Sequence, residues 1–149
     1  MRQTWKAPHV IAGRELWSGV APKRRTNPAN KNEVVTEVGY ADATRVESAV
    51  QAAHASLKAW QQTPIRERLA IIGRIATLLR ENIELLALAM VMEVGKTTAG
   101  AKGEVNKAAS IADFYAAFDP AWFEQVMPDK PGVRRSVRKI PRGVAAIIT

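Results

Sequence analysis

The sequence predicts an α/β fold, and three observations carry that prediction. An opening rich in turn formers and β-branched residues gives way to segments with helical periodicity, from about Asp42 to Phe118. The tail then returns to strand character and ends on an unbroken apolar run, Val144-Ala145-Ala146-Ile147-Ile148. Such a run is the pattern of a strand covered on both faces of a parallel sheet. A parallel strand needs neighbours reached through crossover connections, and none follow Thr149. The expected fold is therefore incomplete: β-hairpins, about four helices, a basic strand and a first parallel strand.

Residues 1–40 read as strands and turns. His9-Val10-Ile11 and Glu15-Leu16-Trp17 flank Ala12-Gly13, a plausible tight turn. Asn27-Pro28-Ala29-Asn30-Lys31-Asn32 is dense in turn formers, and Val34-Val35-Thr36-Glu37-Val38 after it has strand character.

Residues 41–119 read as helices. Asp42 or Thr44 can cap the first, whose stripe is Val46, Val50, Ala53, Leu57 and Trp60. Thr63-Pro64 predicts the next start, a hydroxyl cap followed by proline at the first helical position; its stripe is Ile65, Leu69, Ile72, Ala76 and Leu79. Asn82 can cap a third helix to Glu93, apolar on every side from Leu85 to Met92 and so expected to be buried on more than one face. Gly95 is placed to close it. A fourth runs from about Thr98 to Phe118, striped by Ala101, Val105, Ala108, Ala112 and Tyr115, and Asp119-Pro120 stops it. Beyond it, Pro128, Pro131 and Gly132 read as a loop, residues 133–142 as a basic strand with its following turn, and 144–149 as the first core strand.

Composition sets bounds. A chain of 149 residues, 47% hydrophobic and 24% charged, is long enough to bury a core and has the balance of a globular protein. It contains no cysteine, which excludes disulfides, cysteine-ligated zinc and a cysteine nucleophile within these residues. The N-terminus carries no apolar run behind its charges, and Leu85–Met92 is too short to cross a bilayer, so a cytoplasmic protein is expected. Much of the net charge of +8 comes from Lys130, Arg134, Arg135, Arg138, Lys139 and Arg142. A nucleic-acid patch is one reading. No aromatic residue interleaves these charges, and a solvated strand pair whose acidic partner surface lies elsewhere is the favoured one.

Familiar motifs fail on spacing. Gly95-Lys96-Thr97-Thr98 resembles the end of a phosphate-binding loop, but Met90 stands where the leading glycine is required, after a helix rather than a strand. Gly95, Gly100 and Gly103 do not space a dinucleotide fingerprint. His9 and His54 have no companions at metal-ligand spacing, so no metal site is expected. Nothing brings Glu93 and Glu104 to a common cleft, and Trp60 and Trp122 read as core or interface aromatics. No residue set here makes an active site.

The order of segments is more informative. Asn27-Pro28-Ala29, the strand Val34–Val38 and a helix ending Ala59-Trp60 resemble the opening of NAD(P)-dependent aldehyde dehydrogenases. Trp60, Pro64 and Arg68 fall in a W-x-x-x-P-x-x-x-R junction similar to the family's. Glu93-Val94-Gly95-Lys96 resembles its E-x-G-K segment, Gly103-Glu104-Val105 its G-E-V, and Pro141-Arg142-Gly143-Val144 its P-x-G-V strand entry. The matches run in order from Asn27 to the last residue.

The resemblance implies that residues 1–149 are the N-terminal portion of a Rossmann-like cofactor domain, in a fold that also has a catalytic domain and an oligomerising flap. It implies NAD or NADP as cofactor and a cysteine thiolate that attacks the aldehyde, with hydride transfer and hydrolysis aided by a glutamate. That cysteine, the glycine-rich cofactor loop and the glutamate motif are absent, so no catalytic residue is assigned and the chain alone is expected to be inactive. Ile148 and Thr149 occupy positions that resemble cofactor-lining residues. Val133–Ile140 matches the oligomerisation segment, implying homo-oligomers through this strand, with no specific nucleic acid and no membrane as partner. The alternative is a basic helical interaction module that binds nucleic acid or a full-length homologous subunit.

Overall fold

A computed structural model describes residues 4–17 and 21–148. Its strands are β1 (Trp5–Ala7), β2 (His9–Ile11), β3 (Arg14–Leu16), β4 (Lys23–Asn27) and β5 (Asn30–Val38), followed after the helices by β6 (Glu124–Lys130) and β7 (Val133–Arg138). The helices are α1 (Ala43–Gln62), α2 (Ile65–Glu81), α3 (Ile83–Val94) and α4 (Thr98–Ala116), with a 3-10 turn at Pro120–Trp122.

The opening forms two small sheets. β5 pairs antiparallel with β4 and parallel with β1, Trp5 lying opposite Thr36. β2 and β3 form a separate hairpin with Ile11 opposite Arg14, so Ala12-Gly13 is the two-residue turn expected. Both turn residues have positive φ, 51° at Ala12 and 73° at Gly13, the twist that tight hairpins require. At the β4–β5 turn the Asn27 side-chain oxygen accepts from the Ala29 N–H at 3.0 Å, which fixes the bend around Pro28.

Helix boundaries follow local chemistry, with two corrections. Asp42 caps α1, accepting from the Arg45 N–H at 2.7 Å. Thr63 closes α1 instead of capping α2: its hydroxyl and its N–H both donate to the Ala59 carbonyl at 3.0 Å. Pro64 takes the cap position of α2, which has no side-chain cap. Asn82 stands at the N-cap position of α3, but its side-chain amide donates back to the Leu78 carbonyl at 2.8 Å and makes no capping bond. Gly95 ends α3 with φ 74°, and the Thr97 hydroxyl caps α4 by accepting from Gly100 N–H at 3.2 Å. Asp119 caps the 3-10 turn by accepting from the Ala121 N–H at 2.9 Å.

The small core lies where α2 and α3 pack on α4 and where α3 touches the β4–β5 hairpin. Ala76, Ala87, Ala101, Val105 and Ala109 are buried, and Gly73 brings α2 close to Ala116 of α4. Arg80 spans the α2–α4 seam to Asp113 at 2.5 Å. That hydrogen bond raises the Arg80 pKa, opposed by desolvation and aided by Coulomb attraction, so the guanidinium stays charged throughout the neutral range.

The buried line of α4 is Ala101, Val105 and Ala109, whereas Ala108 of the expected stripe is exposed. The stripe of α1 has no buried member, with Val46 and Val50 about half exposed. Helix α3 meets α4 on one side and the β4–β5 hairpin on another, with Ala87 and Met92 buried; Leu85 and Leu88 stay about half exposed beside an apolar groove of about 580 Å³ bounded by Val34, Val35 and Met92.

The accessible surface, 11654 Å², is well above the roughly 7,500 Å² expected for a compact monomer of 16.3 kDa. Much of the excess is apolar, because Ile71, Ile75 and Leu78 of α2 and Ile111, Phe114 and Tyr115 of α4 stay about half exposed.

The run Val144–Ile148 carries no strand ladder. A strand is held by hydrogen bonds to neighbours, and no described residue lies alongside to provide them; Ile147 and Ile148 are 86% and 95% exposed.

Candidate functional site

Two regions were nominated by sequence, the end of the chain and the basic strand. At the first, Ile148 stands almost fully exposed with no described residue around it, and Thr149 lies outside the described residues. The structure does not bring the pair into a pocket.

The second region is a two-stranded ribbon. β6 pairs antiparallel with β7, Glu124 opposite Arg138 and Met127 opposite Arg135, with an irregularity between Met127 and Lys130. The expected loop at Pro128 is thus part of a strand, and the turn is confined to Pro131-Gly132, where Gly132 takes φ 75°. All six residues of β7 are exposed, and the outer edges of both strands are unpaired among the described residues. An isolated two-stranded ribbon is marginal in water, and an unpaired edge is a template for another strand.

Local contacts steady this ribbon. The Arg135 guanidinium donates to the Pro128 carbonyl, at 3.1 Å from Nε. Arg138 faces Glu124 at 3.8 Å, too long for a strong hydrogen bond. At its root the Lys139 N–H donates to the Phe123 carbonyl at 2.8 Å, Lys139 Nζ sits 5.3 Å from the Trp122 ring centroid, and Gln61 Nε2 donates to the Pro141 carbonyl at 3.4 Å.

The remaining motif residues have structural roles. Gly95-Lys96-Thr97-Thr98 is a helix end followed by a helix cap, with Lys96 paired to Glu104. Glu104 is therefore committed to a lysine, and Glu93 is not joined to it. His9 sits by Gly39 and His54 lies on α1, and no described group of acidic, histidine or cysteine residues could hold a metal ion. Among the described residues no helix is long and apolar enough to cross a membrane.

A profile described as the aldehyde dehydrogenase family matches residues 19–149. The chain belongs to the aldehyde dehydrogenase family. It is 37% identical over 127 residues to the succinate-semialdehyde dehydrogenase [NADP(+)] of Escherichia coli (strain K12), covering 83% of this chain and 26% of that protein. It is 32% identical over 145 residues to a 4-(hydroxymethyl)benzenesulfonate dehydrogenase of Comamonas testosteroni, covering 95% of this chain and 30% of that protein. The crystal structure of an NAD-dependent benzaldehyde dehydrogenase from Corynebacterium glutamicum superposes with TM-score 0.76 at 30% identity, covering 89% of this chain and 29% of that one. The chain thus spans less than a third of the length of these relatives. The fold is that of the N-terminal Rossmann-like region of aldehyde dehydrogenases, incomplete in these residues.

The described residues do not by themselves enclose a nicotinamide cofactor. They contain no glycine-rich phosphate loop, and the one described residue nominated to line the cofactor, Ile148, has no walls around it. What sequence reasoning missed is Arg68. It was read only as part of a junction motif, yet its Nε is buried and has no hydrogen-bond acceptor. No periodicity marks such an atom, because its burial is a property of the folded chain.

Proposed function

We propose that these residues serve a cytoplasmic aldehyde dehydrogenase, which oxidises an aldehyde or semialdehyde to the carboxylate with NAD or NADP, and that they supply scaffold and subunit contacts rather than reacting groups. The observation that carries this reading is an unbroken family match over residues 19–149 in a chain without cysteine. Several relatives are named for aldehydes that bear an acidic group, including succinate, glutarate and malonate semialdehydes and 3-sulfolactaldehyde. A chain with net charge +8 suits anionic substrates by electrostatic steering.

Ile148 and Thr149 are proposed to meet the cofactor only when further residues enclose them. Val133–Ile140 is proposed as the subunit contact, joining homo-oligomers by strand addition at an unpaired edge; the full exposure of β7 supports this.

The test is to mix the purified 149-residue chain with succinate semialdehyde and NAD or NADP and follow reduced nicotinamide by absorbance. No turnover is expected; aldehyde-dependent reduction would overturn the assignment of a purely structural role. The intact mass of the native polypeptide, captured with an antibody to this region, complements the assay. A mass several times 16.3 kDa places the chemistry in a longer subunit, whereas 16.3 kDa leaves these residues a binding role alone.

A further inference from the structure

Between the α1–α2 junction and the root of the ribbon lies a cleft of about 340 Å³. Its charged lining is Arg68, Arg138, Lys139 and Glu124. Three cations against one carboxylate leave two positive charges facing the space.

None of the cations is well neutralised. Arg68 makes no ion pair with a described residue, and its Nε is buried without an acceptor. Its guanidinium is held 5.9 Å from the Trp60 ring centroid, where stacking satisfies no N–H. Lys139 leans on Trp122, and Arg138 reaches Glu124 only at 3.8 Å. Cations left without a close carboxylate favour a ligand that brings anionic acceptors into the cleft. The N-terminus of α2, which has no side-chain cap, borders the same space and adds the positive end of the helix dipole.

We infer that this cleft binds a phosphate-type oxyanion, free or carried on a small organic molecule, and that the bound anion ties the ribbon to the helical layer. A phosphate dianion matches the two excess charges, and its oxygens match the forked donors of two arginines. The cleft is larger than a bare ion needs, and Ile65, Phe123 and Ile140 give it an apolar wall, so a phosphate monoester fits the space as well as the charge. The cleft shares Arg138, Lys139 and Ile140 with the proposed subunit contact, so this inference rests on that contact leaving the root of the ribbon open.

Trp60 and Trp122 each lie against one of the cleft's cations and so act as reporters. Titrating inorganic phosphate, and separately phenyl phosphate, into the 149-residue chain at low ionic strength is expected to change tryptophan emission saturably. Tighter binding of phenyl phosphate identifies an ester as the ligand, and equal binding identifies the free ion; either outcome supports the site. Arg68→Gln and Arg138→Gln are each expected to weaken binding about five- to tenfold. Lys31→Gln, an exposed cation on β5, should leave it within about twofold. Arg138 lies on the ribbon with its side chain 71% exposed, so its variant keeps the test decisive if Arg68→Gln fails to fold. No saturable change, equal weakening by all three substitutions, or binding of succinate as tight as that of phosphate would overturn the inference.

Discussion

Ala12 is the one described non-glycine residue with positive φ, at 51°. Its Cβ crowds the backbone there, at a cost of roughly 1–2 kcal/mol for an L-residue. Asparagine tolerates this conformation and is preferred at the first position of such a turn, directly before glycine. Ala12→Asn is therefore expected to stabilise the protein by roughly 0.5–1 kcal/mol, read as a higher urea midpoint with unchanged slope. A lower midpoint would mean that the β2–β3 turn has a different geometry. The strain was invisible in the sequence, which marks the turn through Gly13 but is silent on which other residue must share its backbone region. Arg68 teaches the same lesson for the cleft: residue type shows a cation, and only the fold shows that its donor lacks an acceptor.

Among the elements, helix spans were legible because their ends are written locally. Asp42, Gly95 and Asp119 each act through partners within four residues in sequence. Which face of a helix is buried was less legible, since that depends on what arrives from far away. Helix α4 shows it: periodicity pointed to Ala108, while Ala109 has no exposed surface. Ala109→Leu is expected to destabilise by about 1–3 kcal/mol through overpacking, and Ala108→Leu to stay within about 0.5 kcal/mol. Thermal melts of the two variants would decide the helix register, and the reverse order would restore the stripe read from sequence. Strand β6 was missed for a related reason. Pro128 and its neighbours look like a loop, but proline is tolerated on an edge strand where no donor is required. Its partner β7 was read correctly as a strand, β-branched Val133 and Val137 being a local signal.

At the scale of the whole molecule, the α/β class and the family were legible from the order of short motifs, and the family match over residues 19–149 agrees. The fate of the apolar run at Val144–Ile148 was not, because a parallel strand is a property of its neighbours. The same holds for apolar residues on the outer faces of α1, α2 and α4, such as Val46, Ile75 and Phe114, which stay about half exposed among the described residues. The proposed cofactor-lining pair belongs to this class of feature, with Ile148 in place by sequence and the walls of its site outside the described residues. Function at this scale is thus proposed to reside in the assembly of surfaces and not in any single cluster of side chains.

The large accessible surface has a calorimetric consequence. An unfolded chain of this mass exposes about 23,600 Å², so a folded surface of 11654 Å² means that only about half of it is withdrawn from water. Compact domains of similar length withdraw about 68–70%. The heat-capacity increment of unfolding follows the area hydrated, so it should be roughly three quarters of the usual value per residue. Its stability curve should accordingly be flatter, its dependence on temperature weaker on both the warm and the cold side. Differential scanning calorimetry of the isolated chain would read this directly: a full-sized increment would mean that copies of the chain close over the open faces in solution.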